Sequence, residues 1–481
     1  MHRIAPSPLR LLPAALLLAC SGGGSSSTGS STGTGTGTDT GTTTGPGTTT
    51  GSTIGTDTAS STTGSSSTGP GAVCGNGVVE GDEVCDDGNQ DPLDGCEPDC
   101  TPSSGQAIWT TTYDRESKKD EVLAAARLPD GRFLALGWTQ ADTGYDTLLW
   151  FLNPDGTEDI AVADDVGGDI VAPGTDERAY GLQVRDDGSF VISGHVEIDA
   201  GTDDWDVFLR RYDENAMPMW THTWSSSMGS GTDLARGLSI GPNGTYLLAG
   251  NVPGANGTDG LLLALDENGN EVFATLYDGD DALDDLFFSV AYDGTQIWVA
   301  GTTDYNAPLD ESKWLVAGFD DTGALQWKDA FPGQPDKFQR ARSIRTDESG
   351  NAYVTGVLGS PSRGAVDVWV VAYDPTGTRT WATLYDGPSA LVDDGLALAR
   401  RDDGVVFFTG LTVVLGEQQN ILMGRTESDG TLTWTSAYNG DLGLTDVGTA
   451  VVIADDGYPV FFGYTTVSGQ AEDAWARKVY P

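Results

Sequence analysis

Four cysteines at 74, 85, 96 and 100 crowd into 27 residues, and a fifth stands apart at 20. Their spacing, with ten, ten and three residues between them, lacks the paired C-x2–4-C knuckles of a structural zinc site. In an exported chain such an even cluster oxidises to two disulfides, because so short a segment cannot build a core of its own. Three pairings satisfy that count, and spacing does not choose among them. Inside the cluster, Asp87, Asn89 and Asp91 set hard oxygens at alternate positions, as calcium loops do. Pro92 and Pro98 stand where an EF-hand needs its glycine and its bidentate glutamate, so Asx turns compete for the same side chains.

Groups for catalysis are sparse. Beyond His2 there are only His195 and His222, in columns of an internal repeat otherwise filled by residues such as Trp138 and Asn251, or Thr111 and Thr275. Both read as structural substitutions rather than proton carriers. Gly237 to Gly241 spells G-x-S-x-G around Ser239, but this serine lies in a predicted strand before a hairpin, not on a strand–turn–helix elbow. No H-E-x-x-H occurs. Carboxylate pairs are too abundant for any one of them to mark glycoside hydrolysis. With 71 acidic against 25 basic residues, a net charge of −46 excludes binding of nucleic acid or an acidic membrane face by bulk electrostatics. No required cofactor is implied, and calcium is an optional ligand.

The N terminus concerns delivery. Arg3 and Arg10 flank a short apolar stretch, Leu11 to Ala19, too short to span a bilayer and followed by no stop-transfer pattern. Residues 1–19 therefore read as a signal peptide. Its end, Leu17-Leu18-Ala19-Cys20, resembles the bacterial lipoprotein lipobox. That resemblance implies cleavage before Cys20 and lipidation of its thiol, with membrane attachment at ~0.8 kcal/mol for each buried methylene. Ser21 in place of aspartate suggests, by analogy, the outer membrane or cell surface. Residues 20–72 are nearly all Ser, Gly and Thr, have nothing to bury, and form a disordered tether spanning ~40 Å. Residues 73–101, with CGNGVVEGDEVCDDGNQDPLDGC, resemble the myxobacterial cysteine-rich repeat, a small module of secreted and surface proteins.

From 105 to 481 the chain repeats itself about every 54 residues. Turn glycines recur at 131, 188, 244, 294, 350, 404 and 457, and second glycines, each ending an apolar strand, at 137, 194, 250, 301, 356, 410 and 463. A third column holds Asp146, Asp206, Asp259, Lys313, Asp367, Asn420 and Asp473. A fourth strand opens with a large side chain, as at Trp109, Trp220, Trp327, Trp381 and Trp434, followed four residues later by a second ring at most units. Four short strands per unit, none able to bury both faces alone, predict a seven-bladed, all-β propeller. The pattern resembles the β-propeller repeat families of bacterial surface proteins, Gly350-Asn-Ala-Tyr-Val-Thr-Gly356 being its nearest copy. The last unit has no Trp-type strand after Asp473, so the Trp109 strand is expected to complete that blade and close the ring.

Tight Asp-Gly and Asn-Gly turns then occupy one side of the ring. Long, unlike loops (139–145, 195–205, 278–285, 302–312, 358–366 and 386–394) occupy the other, where recognition is expected. Candidate contacts there are Tyr145, Trp205 and Tyr305, with the acids Asp278, Asp280, Asp281, Asp284, Asp285, Asp393 and Asp394. The expected function is a lipid-anchored, monomeric, non-enzymatic binding module for a glycan, peptide or envelope partner. Two rivals are a carboxylate-dependent polysaccharide lyase or hydrolase on the loop face, and a purely structural spacer.

Overall fold

The computed structural model describes residues 73–481 except 82, 92–95, 143, 173–174, 200–203, 227–230, 256, 282, 307–310, 335–336, 360–364, 390, 441–442 and 468–470. The expected signal peptide, Cys20 and tether lie outside the described residues. Among the described residues no helix is long and apolar enough to cross a membrane.

In the cysteine-rich segment the pairing is nested, Cys74–Cys100 around Cys85–Cys96. Asp86 organises the segment by accepting from the backbone N–H groups of Gly75, Asn76, Gly77 and Gly88 at 2.7–3.1 Å. Partial desolvation raises its carboxyl, and these four donors outweigh that and hold it below the ordinary value.

The repeat builds seven four-stranded antiparallel sheets. Six are consecutive meanders, blades 1 to 6, at 120–164, 177–224, 234–277, 284–331, 340–385 and 393–438. Blade 7 takes its inner three strands from 446–479 and its outer strand from Ala107–Tyr113, with Thr111 opposite Ala476, so the two ends of the repeat region close the ring as expected. The middle strands are buried on both faces, as in Phe133–Gln140, because each sheet is stacked between two others. Outer strands alternate half-buried and exposed positions, as in Arg379–Tyr385, because successive side chains point to opposite faces. The core therefore lies between blades: Phe133 and Trp150 of blade 1 pack with Phe462 and Ala476 of blade 7 across the seam.

The first glycine column does what its spacing implies: Gly131 has φ +89° and closes the turn from Leu128 to Arg132. The second column differs from expectation. Gly137 lies inside a strand that runs on to Gln140, not at its end. It is glycine because the inner strand of each blade carries a β-bulge, between Val122 and Ala124 in blade 1, and a Cβ on Gly137 would collide with the Glu121 carbonyl. The same collision occurs at Gly250 with Leu234 and at Gly410 with Asp394.

Candidate functional site

Inner strands start on the loop side and end at the tight turns, so each blade presents its loops around one end of a central channel. At the start of these strands stands a buried polar column: Asp120, Glu177, Asp233, Asp285, Gln339, Asp393 and Asp446. Six of them accept the backbone N–H of the loop just before: from Arg115, Gly167, Ser226, Gly279, Gly387 and Gly440 at 2.6–3.1 Å. Two expected surface contacts, Asp285 and Asp393, belong to this column and serve as loop anchors. Asp285 also accepts from Thr303 Oγ1 and the Asp304 N–H. Most of the column went unrecognised in the sequence, although Tyr277 to Asp285, Phe331 to Gln339, Tyr385 to Asp393 and Tyr438 to Asp446 share an eight-residue step. Loop length varies in the other blades and hides it.

The other expected acids divide. Asp394 is buried and paired with Arg342 at 2.9 Å, and Asp284 accepts from the Thr258 N–H. Asp278, Asp280 and Asp281 are exposed, the last two paired with Lys328 and Lys313. Lys313, the exception in its aspartate column, also pairs with Asp304, and with Asp281 it lines a cavity of about 400 Å3 on the loop side of blade 4.

Two acid trios repeat one placement: Asp146, Asp165 and Glu177 between blades 1 and 2, and Asp367, Asp386 and Asp393 between blades 5 and 6. In each, ligand atoms lie within 4.8 Å of one another, a grouping that could hold a cation. Burial, then the neighbouring acids against backbone donors, pushes Glu177 up to about 8. Burial likewise pushes Asp393 up to about 6. In the cysteine-rich segment, the Asp87 carboxylate accepts from the N–H groups of Asn89 and Cys96, and Asn89 Oδ1 accepts from Asp91, the geometry of successive Asx turns.

The expected rings fall into two places. Tyr145 and Trp205 are half-buried on the loop side of adjacent blades 1 and 2, whereas Tyr305 is buried in blade 4 beneath the Arg340 guanidinium. Tyr145 meets Trp138 edge to face at 4.6 Å, and the Arg178 guanidinium lies 4.1 Å from the Tyr145 ring centre and 5.2 Å from that of Trp138. Trp205 packs edge-on to His195 at 5.2 Å, and His195 stacks on Tyr180. Burial, with Arg236 and Arg178 nearby, holds His195 well below the ordinary imidazole value, so it is neutral at pH 7. Beside this cluster lies Glu121, not singled out in the sequence, 2.7 Å from Lys119. Burial pushes its carboxyl up to about 7, with Lys119 opposing and Glu472 adding to the effect.

On the opposite side the tight turns surround an opening of their own. A cavity of about 710 Å3 is lined there by Arg127, Arg345, Asp347, Glu348, Arg400 and Asp402 among others.

No protein-family model matches the chain, and no curated protein matches it. Among solved structures, a Dyadobacter fermentans protein of unknown function shares 12% identity, over 78% of this chain and 98% of that one, with a TM-score of 0.44. Chaetomium thermophilum Sqt1 shares 12% identity over 74% and 82%, with a TM-score of 0.41. A Bacteroides caccae protein of unknown function shares 11% over 59% and 93%, with a TM-score of 0.36.

Proposed function

We propose that the chain is a non-enzymatic binding module, held at the cell envelope by a lipidated Cys20 and lifted from the membrane by its tether. The observation that carries the reading is the ring cluster of blades 1 and 2. Tyr145 and Trp205 are half-exposed but not free to turn, being held by Trp138, His195 and the Arg178 guanidinium. Rigid, partly solvated rings beside a cation suit stacking on a glycan or an aromatic-bearing peptide at little entropic cost. The lipid anchor, the outer-membrane or surface location and the kinship of the cysteine-rich module rest on the sequence resemblances alone.

Retention of the purified chain on immobilised envelope polysaccharide and peptidoglycan tests the module. Each stacked ring contributes about 0.5–1.5 kcal/mol, so the Tyr145→Ala/Trp205→Ala double variant is expected to bind about fivefold to 150-fold more weakly. Reproducible absence of retention on every envelope fraction favours the structural spacer instead. The buried Glu121, with a carboxyl poised near neutrality, supports a second reading as a polysaccharide lyase or hydrolase. Turnover of a polysaccharide that Glu121→Gln abolishes would replace the binding module with that enzyme.

A further inference from the structure

The bulge in each inner strand has a second consequence, at the ring axis. Its extra residue has no partner on the next strand, and a bulge re-aims that side chain. The seven bulged residues are Leu123, Tyr180, Arg236, Phe288, Arg342, Leu396 and Thr449. All seven line one cavity of about 130 Å3 inside the channel. Its charged lining residues are Arg236, Arg342 and Arg345, with no acid among them, in a protein of 71 acidic and 25 basic residues. Arg236 and Arg342 both approach one ring, their guanidiniums 5.5 and 5.1 Å from the centre of Phe288. Arg342 is neutralised by Asp394 at 2.9 Å. Arg236 donates to the neutral Asn251 Oδ1 at 2.6 Å, and Arg345 to the Ile344 carbonyl at 2.8 Å. Among the described residues neither forms an ion pair. The buried Tyr180 hydroxyl has no hydrogen-bond partner among them either. Burial works against the Arg236 cation; Tyr180 opposes that effect and the charge of Arg342 adds to it, and the guanidinium is left short of a counter-charge.

We infer that this ring is an oxyanion site. The guanidiniums of Arg236 and Arg342 clasp one small anion, with Arg345 and the Tyr180 hydroxyl as further donors. The planar forks match a carboxylate or phosphate. At roughly 30 Å3 per water, the cavity holds about four waters, or one such anion with little water left. The way in is the wider opening at the tight turns, which shares Ala125, Arg345 and Val451 with the channel cavity. Two sources offer this chemistry, free inorganic phosphate and the carboxylate of a sugar acid. This site uses none of Tyr145, Trp205 or Arg178, and meets their cluster through Tyr180, which stacks on His195.

Calorimetric titration of the purified chain at pH 7, with sodium phosphate and separately with sodium glucuronate in low-chloride buffer, tests the site. Saturable binding tighter than about 1 mM is expected for at least one of them, with a matching rise in melting temperature. Arg236→Gln should weaken it at least tenfold while the unliganded protein still folds, because the substitution leaves no unpaired charge on its partner Asn251. Arg425→Gln, whose residue pairs with Glu427 away from the channel, should bind like the parent. Should Arg236→Gln fail to fold, Arg345→Gln takes its place, having only a backbone partner to lose. Binding of phosphate alone identifies the inorganic anion, and binding of glucuronate alone a sugar-borne carboxylate. No saturable binding of either, or binding unchanged in the folded variant, overturns the site. Loss of envelope retention in the Tyr145→Ala/Trp205→Ala variant, with phosphate binding intact, would separate this site from the loop-side module.

Discussion

Glu121→Gln is expected to flatten the pH dependence of stability. The Glu121 side chain is 3% exposed and Lys119, its partner, 25%, so burial penalises the carboxylate more than it does the ammonium. Lys119 is held above its ordinary value by Glu121 although its own burial works against it, and the two sides of the pair thus pull in opposite senses. Burial decides for Glu121, which moves from 4.5 to about 7. Below pH 4.5 the carboxyl is protonated whether folded or not, and its contribution is fully present. As pH rises toward 7 the unfolded chain releases the proton first, so stability is lost across that window. At about 1.4 kcal/mol for each tenfold step in the proton equilibrium, the loss is about 3 kcal/mol. Urea unfolding of parent and Glu121→Gln at pH 5 and pH 8 measures it. The parent should lose 2–3 kcal/mol more than the variant, at about that precision. Glu177, Asp393 and Asp473, also raised by burial, tilt both proteins alike and cancel in the comparison. Equal slopes would mean that Lys119 fully offsets burial, and that Glu121 is an ordinary ionised partner with no poised proton.

Two glycines offer a contrast in cause. Gly250→Ala drives a Cβ into the Leu234 carbonyl beside the bulge and should cost about 3 kcal/mol, whereas Gly244→Ala meets no atom within 4 Å and should cost only about 1 kcal/mol of left-handed strain at φ +78°. Thermal unfolding ranks them, and a reversed order would refute the role given to the bulge. Internal deletion of 107–113 removes the outer strand of blade 7, with Trp109 and Tyr113, and should cost about 3–6 kcal/mol. An unchanged melting temperature in calorimetry would show that the ring does not need its latch.

Much of the scaffold was legible because its determinants are local. Turn glycines need a positive φ, outer strands alternate with period two, and the missing Trp strand of the last unit pointed to residue 109. The candidate site was legible only in part. Tyr145 and Trp205 lie on the expected side and on adjacent blades, but Asp285, Asp393 and Asp394 turned inward to anchor loops and pair with arginine. An aspartate before a strand looks the same in a sequence whether its carboxylate faces water or the backbone of the preceding loop. Glu121 and Arg178 gave no signal, since Trp138 lies on another strand from Glu121 and, with Tyr145, on another blade from Arg178.

What the amino-acid sequence determined by itself is the unit: four strands, their turns, the number of copies, and a cysteine cluster sized for two bridges. Those follow from interactions between residues a few positions apart, written again in every repeat. Only the tertiary structure decided which cysteines pair, where the bulges aim their extra residues, and that two arginines from blades 3 and 5 approach one phenylalanine of blade 4. The seven bulged residues share no common letter, so no column announces them. They become a site because seven inner strands converge on one axis, where side chains about fifty positions apart in the chain line one cavity.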